Sequence, residues 1–278
     1  MADKKKAKKK QGKRVDKTRS KPLSLEALKE YGALEGFAAP AGEFDPAGSW
    51  KHLYRLWLVA PSWHQYRGFF ELSRTAGEGS IGLAMNRSIL LSQHPAFHDT
   101  TIQLTCSPDV LCTPRSWELN AVTRDIQSKP IEVSRVEEKA SVDGGTIGIE
   151  RNGRTLKRTV PTPFTTDVSL LEAVGRLPGA ATKPLEFALL QDMDELKPGH
   201  KLSYREEKTF EVNGASLKLR CYQELGQGIL PYLYYVDEHG RLLFAISAVR
   251  SYIYDPNARE ERDKKVAWLI EKQKRSKK

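Results

Sequence analysis

Four residues of the sequence carry the side chains that zinc prefers as ligands. His94 and His98 lie four positions apart, and Cys106 and Cys112 follow with a spacing of six. Imidazole nitrogens and thiolates are the usual ligands of a tetrahedral structural zinc site. The spacing matches no common zinc-finger pattern, so two alternatives stay open. The cysteines and histidines are placed independently, or Cys106 and Cys112 form a disulfide, which requires an oxidising compartment.

The usual signatures of catalysis are missing from the sequence. It contains no Gly-x-Ser-x-Gly nucleophile elbow and no Walker motif. The Gly-rich segment 144–148 lies between two predicted strands, where it forms a turn instead of a phosphate-binding loop. We therefore expect no cofactor and no catalytic residue, and a cofactor-free enzyme is the alternative to a binding protein.

Aromatic residues concentrate at the two ends of the central region, in 57–70 and 232–254. Large rings with one polar handle suit the mouth of an apolar groove, and they also suit ordinary packing in a sheet. Arg250 falls in register with Phe244 on a predicted strand, so we expect it to point inward, where a buried charge needs a partner. That partner is an acidic headgroup of a ligand or an internal carboxylate such as Glu118 or Asp125. The candidate ligand-binding residues are Arg250, Tyr252, Tyr234, Phe244, Trp57 and Trp63.

Basic charge is concentrated at the two ends of the chain. The formal net charge is +10 over 278 residues, with +9 in 1–21, +5 in 257–278 and −4 in 22–256. The lysine run at 4–10 repels itself and contains nothing to pack, which predicts a disordered tail. Such a tail solubilises the chain, or it binds nucleic acid or an anionic membrane surface.

The sequence shows no membrane-spanning or export segment. No apolar stretch approaches the roughly 20 residues that a transmembrane helix needs. The basic N-terminus is not followed by an apolar segment, so it does not match a signal peptide. As written, the sequence predicts a cytoplasmic protein; a different true N-terminus would allow the periplasm.

Strand and hairpin signals dominate the central region. Asn152-Gly153 and Asn213-Gly214 supply the two positive-φ residues of a type I′ turn. The first turn places Ile149 opposite Leu156, and the second places Phe210 opposite Leu217. A third hairpin is expected between 232–236 and one long strand at 241–253. In the second hairpin, one apolar face is expected to carry Leu202, Tyr204, Phe210, Val212, Leu217, Leu219, Cys221 and Leu225.

Helix signals are sparse. Ser24 is a candidate N-cap for a short helix that Gly32 ends. Thr166 or Asp167 is a candidate N-cap for a second helix over 169–177, and the box formed by Ser169 and Glu172 supports a start at Ser169. A charged helix is expected over 258–274.

These signals predict a mainly β protein with one large curved antiparallel sheet, a half-barrel or open barrel, wrapping one or two short helices. We expect a disordered basic tail at 1–22, a short helix and linker at 23–49, the sheet domain at 50–256 and a basic C-terminal helix or tail at 257–278.

The order of the predicted helix, turn and strands resembles that of the LolA/VioE-like bacterial half-barrels. The resemblance rests on the predicted helix at 168–177, the segment 187–190, the turn Lys197-Pro198-Gly199 and the later strands with Tyr234-Tyr235-Val236-Asp237 and Gly240-Arg241-Leu242-Leu243. It implies a long sheet around short helices, with an apolar groove. Members of this superfamily are typically exported and bind lipid chains, and the fold also hosts an indole-pathway enzyme. The missing signal sequence departs from that pattern.

The function expected from these observations is the binding or transport of an apolar or amphipathic small molecule in the concave face of the sheet. The alternatives are a cofactor-free enzyme that uses the same cavity and a tether to nucleic acid or an anionic surface through the basic tails.

Overall fold

Antiparallel pairing of neighbouring strands builds almost the whole sheet. The computed structural model describes residues 24–60, 63–91, 96–180 and 183–276. The first eight strands are β1 (Trp50–Ala60), β2 (Trp63–Gly77), β3 (Ser80–Leu90), β4 (Ala96–Cys106), β5 (Pro114–Asp125), β6 (Val136–Asp143), β7 (Thr146–Arg151) and β8 (Arg154–Thr159). The others are β9 (Phe164–Thr166), β10 (Leu185–Gln191), β11 (Glu195–Val212), β12 (Ala215–Leu225), β13 (Tyr232–Val236), β14 (Leu242–Ile246) and β15 (Arg250–Tyr254).

The strands form one open sheet of two meanders. Its order runs from β8 down to β1 and continues through β15 down to β9, so that the pairing of β1 with β15 joins the two halves. All neighbours are antiparallel except β9 and β10, which are parallel. Within the described residues, three α-helices accompany the sheet: α1 (Leu25–Glu30), α2 (Asp167–Arg176) and α3 (Ala258–Ser276).

The two predicted Asn-Gly hairpins are confirmed. Asn152 and Gly153 have φ of 47° and 75°, and Asn213 and Gly214 have φ of 49° and 81°. Ile149 pairs with Leu156 and Phe210 pairs with Leu217, as the two-residue turns require. Asn and Gly tolerate the left-handed backbone, which lets such a turn match the twist of its strands.

Helix α2 lies against the inner face of the sheet, and the sheet curves around it. Arg87 of β3 lies eight strand positions from β10, about 38 Å across a flat sheet, yet its Nη1 is 3.2 Å from Oδ1 of Asp192, which follows β10. Near the sheet edge, Arg151 of β7 lies 2.9 Å from Asp194 in the β10–β11 turn. The two ends of the sheet therefore approach each other, and the expected large curved sheet is confirmed.

The outer face, which points away from α2, is covered by α1 and α3. Leu25, Leu28 and Phe37 of the N-terminal segment pack on the outer side of β11, β12 and β14. On α3, Val266, Leu269 and Ile270 pack against Leu90, Phe97 and Ile126. This charged helix therefore packs on the sheet through apolar residues along one side, as the helical spacing of these residues predicts.

The predicted single apolar face of the second hairpin is wrong. Leu202 and Tyr204 belong to the inner core, whereas Phe210 and Val212 of the same strand belong to the outer cluster. The register shifts between Tyr204 and Glu206, which inserts one extra residue, Arg205, into β11. Because side chains alternate with a period of two, one extra residue moves the rest of the strand to the opposite face.

Helix α2 begins two residues earlier than the predicted start at Ser169. Thr166 is its N-cap, and the Thr166 hydroxyl accepts a hydrogen bond from the Ser169 amide at 2.9 Å. Glu172 completes no capping box, because its carboxylate binds Arg74 and Arg176. Ser24 caps α1 as expected. Within the described ranges, no helix has the length and apolar character needed to cross a membrane.

Candidate functional site

A cavity of about 260 Å³ lies between the first turn of α2 and the inner face of the sheet. Residues from both meanders line it, since the curved sheet brings β2 and β3 towards β10, β12, β13 and β15. The bend that encloses α2 therefore also creates this space. Both apolar and charged side chains line the cavity.

Apolar side chains form one wall and the mouth of the cavity. Phe70 of β2, Leu171 of α2 and Leu189 of β10 line the wall, and each is buried. At the mouth, Leu230 and Val249 are 49% and 53% exposed. Exposed aliphatic side chains that continue a buried apolar wall are characteristic of a binding groove.

Arg250 is one of the charged residues that line the cavity. Among the described residues, its guanidinium forms no ion pair with a carboxylate. Its Nη1 donates to the Tyr252 hydroxyl at 3.2 Å. Among the described residues, no carboxylate oxygen lies within 4.0 Å of its guanidinium, whereas the other cavity arginine, Arg87, is paired with Asp192. The pKa of Arg250 is raised, with the nearby Tyr252 hydroxyl as the largest cause. Arg250 therefore carries a positive charge into the cavity.

Asp167, the first residue of α2, has an unsatisfied buried oxygen. Its Oδ1 is buried and has no hydrogen-bond partner among the described residues. Burial raises the pKa of Asp167 to about 7, and the negative charge of Asp192 adds to this effect. The charges of Arg87 and Arg250 act in the opposite direction. This carboxyl group changes its protonation state near neutral pH and borders the same cavity as Arg250.

A buried hydrogen-bond network fixes the third polar part of the wall. The Tyr234 hydroxyl donates to Oε2 of Glu224 at 2.6 Å, and Nδ1 of His200 lies 2.9 Å from Oε1. Nε2 of His200 lies 3.3 Å from the Gln227 carbonyl oxygen. A Cβ atom at Gly226 would lie 2.5 Å from the His200 ring, so this position holds the network only as glycine.

Two tyrosine rings extend this network towards Arg250. Tyr232 and Tyr234 stack with centroids 5.2 Å apart and an interplanar angle of 19°. Burial raises the pKa of both hydroxyls well above the usual value. They are therefore neutral, and each can donate a hydrogen bond but not act as a phenolate base.

The structure brings three of the six predicted ligand-binding residues together. Arg250, Tyr252 and Tyr234 all line the cavity. Trp57 lies on the outer face beside a groove between α1 and α3. Trp63 begins β2, and its side chain falls outside the described part of the chain.

Phe244 does not line the cavity, contrary to its predicted register with Arg250. Its ring packs on Phe37 of the outer cluster with a centroid distance of 5.0 Å. The predicted strand at 241–253 is two strands, β14 and β15, separated by a turn at 247–249, and the register of β14 also shifts where it pairs with Tyr235 and Val236. These irregularities separate Arg250 from the face that carries Phe244.

The proposed zinc ligands do not converge. His98 and Cys106 lie eight residues apart on β4, about 26 Å along an extended strand, whereas ligands of one zinc ion lie within about 2.3 Å of it. His94 lies outside the described residues. Cys106 and Cys112 are buried, free thiols. The pKa of Cys112 is raised well above its usual value, mainly by a hydrogen bond with Cys106 and secondly by burial.

Arg87 and Asp167 are site residues that the sequence analysis did not select. Arg87 continues the alternation of Leu83 and Met85 on the inner face of β3, and this period-two pattern could have identified it. Asp167 follows the N-cap of α2, a position that acidic residues commonly occupy for local reasons. Asp167 lines the cavity only because β10 and β15 come close to the start of α2 in the folded chain.

A Gly-x-Gly-x-x-Gly pattern occurs at 77–82, but its structure does not suit nucleotide binding. The segment is the tight turn between β2 and β3, where Gly77 pairs with Ser80. The phosphate-binding form of this pattern opens a helix, whose N-terminus faces the phosphates. Here a strand follows, so this pattern contributes only a turn.

Comparisons with known proteins identify the fold and no family. No protein-family model matches the chain, and no curated protein matches it significantly. Among solved structures, the chain is similar to a beta-barrel-like protein of domain of unknown function DUF1849 from Brucella abortus, with a TM-score of 0.52 and 9% sequence identity. The match covers 75% of this chain and 96% of that chain. At this identity the likeness shows the fold alone.

Proposed function

We propose that this protein binds a small amphipathic molecule in the cavity beside α2 and acts as a carrier or binding protein. The observation that carries the proposal is that one cavity combines the charged Arg250 with buried apolar residues and with the exposed aliphatic residues Leu230 and Val249. A binding site of this kind uses few polar groups for orientation and apolar surface for affinity. The resemblance to LolA/VioE-like half-barrels supports the same role by analogy.

The size of the cavity limits what it encloses. A volume of about 260 Å³ lies just below the roughly 300–1,000 Å³ of typical ligand pockets. It therefore suits a headgroup and the first part of a chain, with the remainder lying along Leu230 and Val249. Exposed aliphatic groups at the mouth are explained by such a ligand, which would cover them when bound.

The neutral, hydrogen-bonded wall supports binding more than catalysis. Tyr232 and Tyr234 have raised pKa values, and Glu224 is already shared between Tyr234 and His200. A general base needs a pKa near the working pH and access to its substrate; Asp167 meets the first condition, but neither tyrosine does. This network instead holds the wall in one geometry.

A neutral apolar dye tests the proposal. The full chain is titrated with N-phenyl-1-naphthylamine, whose fluorescence rises in an apolar site. The variant Ile229→Trp places a large ring in the cavity and should abolish saturable binding. The control Leu156→Trp changes a 46% exposed residue of β8 and should bind as the wild type does. Absence of saturable binding to the wild type, or equal binding by both variants, would contradict the proposal.

A further inference from the structure

We propose that the ligand of this cavity carries an anionic oxygen headgroup, a carboxylate or a phosphate, which Arg250 binds and to which Asp167 donates a hydrogen bond. The inference rests on the proposed function and assigns the chemical class of its ligand. It is carried by two groups on the same cavity, a guanidinium without a carboxylate partner and a buried carboxyl oxygen without a hydrogen bond.

The other charges of the cavity are already matched. Asp192 pairs with Arg87 at 3.2 Å and acts on Arg250 only at longer range, and Glu224 is held by Tyr234 and His200. Among the described residues, the guanidinium of Arg250 makes one hydrogen bond, to the Tyr252 hydroxyl. A guanidinium has five N–H donors in a planar fork that fits two oxygens of a carboxylate or phosphate. Since an enclosed charge is costly without a partner, an oxyanion is the ligand group that suits Arg250.

Asp167 complements an anion only when it is protonated. Titratable and charged groups from five elements surround the cavity with it: Arg87 on β3, Asp192 after β10, Arg250 and Tyr252 on β15, Tyr232 and Tyr234 on β13 and Glu224 on β12. Their combined effect, together with burial, places its pKa at about 7. Below this pH the acid can donate to the headgroup through the unpartnered Oδ1, and above it the carboxylate repels an anion. Affinity for an anionic amphiphile should therefore rise as the pH falls through 7.

The apolar wall limits the remainder of the ligand. Phe70, Leu171 and Leu189 lie beside the polar groups, and Leu230 and Val249 continue this surface to solvent. One alkyl chain attached to the headgroup would follow this path outward. A single-chain anionic amphiphile is thus the class that satisfies both sides of the cavity.

Three amphiphiles with the same ten-carbon chain separate headgroup from chain. Decanoate, decyl phosphate and decanol compete with N-phenyl-1-naphthylamine on the full chain at pH 6. At least one of the two anions should displace the dye at a concentration about tenfold lower than decanol, since one hydrogen bond to a charged group accounts for that ratio. The more effective anion identifies the headgroup as carboxylate or phosphate.

Two substitutions assign the preference to named residues. Arg250→Gln should remove the preference for the anion over decanol while dye binding persists, and Arg250→Lys should retain part of it. Arg154→Gln changes an exposed arginine on β8 outside the cavity and should leave the preference intact. Asp167→Asn should make the affinity for decanoate, whose charge does not change over this range, equal at pH 6 and pH 8, whereas the wild type should bind decanoate more weakly at pH 8.

The outcomes distinguish this inference from the function on which it depends. Dye binding with equal displacement by decanol and both anions would overturn the anionic headgroup and leave the binding function standing. Loss of anion preference in Arg154→Gln would overturn the role of Arg250. No saturable dye binding to the wild type would remove the proposed function itself. The comparison of three ligands on the wild type stands even if a variant fails to fold.

Discussion

Glu172 of α2 accepts a hydrogen bond from Nε of Arg74 on β2 at 2.7 Å, and both side chains are buried. Arg176, one turn further along the helix, binds the same carboxylate with Nε at 2.7 Å and Nη2 at 2.8 Å. Arg74 also donates to the carbonyl oxygens of Ala47 and Gly48. One carboxylate thus connects the central helix to β2 and to the segment that precedes β1.

Substitution of Glu172 by Gln should lower the free energy of unfolding by roughly 3 kcal/mol, because removing one partner of a buried ion pair leaves an uncompensated charge. Here Arg74 would lose its only carboxylate partner among the described residues. Urea denaturation at neutral pH measures the change. Glu150→Gln, at an exposed position of β7, should change stability by no more than about 0.5 kcal/mol. Equal effects of the two substitutions would show that the buried network does not stabilise the fold.

Asp167 should make stability fall as the pH rises towards neutrality. Its pKa is about 7 in the folded chain against an ordinary value of 3.8, so the folded state binds this proton more tightly than the unfolded state. The resulting stability is fully present below pH 3.8 and is lost as the pH rises through 7.

The variant Asp167→Asn isolates this effect. It should be more stable than the wild type at pH 8 by at least about 1 kcal/mol, since one pKa unit corresponds to 1.36 kcal/mol. Denaturant unfolding of both proteins at several pH values between 4 and 8 measures the difference. Asp143→Asn, at an exposed residue of β6, is the control. A difference between Asp167→Asn and wild type that does not change with pH would contradict the prediction.

Local patterns predict the strands and turns of this chain because their causes are local. Asn152 and Asn213, each followed by glycine, determine both the turn and the register of their hairpins. The apolar stripe of α3, with Val266 and Leu269, likewise follows from helical spacing. In each case the physical constraint lies within a few residues of sequence.

Which residues line the cavity depends on strand irregularities and on the curvature of the whole sheet. One extra residue, Arg205, reverses the faces of β11, and the turn at 247–249 separates Arg250 from Phe244. No residue pattern marks either irregularity. Likewise, Arg87 approaches Asp192 only because the whole sheet bends through eight strand positions. Arg250 was selected from a wrong register, and its position in the cavity follows from its pairing with Leu58.

Helix α2 packs closely on the β13–β14 turn through glycines. A Cβ atom at Gly175 would lie 2.5 Å from the carbonyl oxygen of Gly240. Alanine normally stabilises a helix interior by about 0.5–1 kcal/mol relative to glycine. Here Gly175→Ala should instead lower the free energy of unfolding by roughly 1–3 kcal/mol, because the backbone must separate to admit the methyl group.

Thermal and urea unfolding of Gly175→Ala measures this loss. The control Gly179→Ala adds a Cβ that would meet no atom within 4 Å and should keep stability within about 0.5 kcal/mol of the wild type. A stabilised Gly175→Ala variant would mean that helix propensity outweighs the close approach.

The three cysteines should be unreactive in the folded protein and fully reactive in the unfolded chain. Cys106, Cys112 and Cys221 are free and have 0% exposure. Burial raises the pKa of Cys221 to about 11, and the thiolate is the reactive form. Titration with a chromogenic disulfide reagent at pH 8 should therefore detect no rapidly reacting thiol in native protein and three per chain in guanidinium chloride.

Val133→Cys, at a 95% exposed position, should add one rapidly reacting thiol and calibrate the assay. Only one reactive thiol in denaturant would indicate a Cys106–Cys112 disulfide, and a rapid native reaction of the wild type would contradict the burial of these residues.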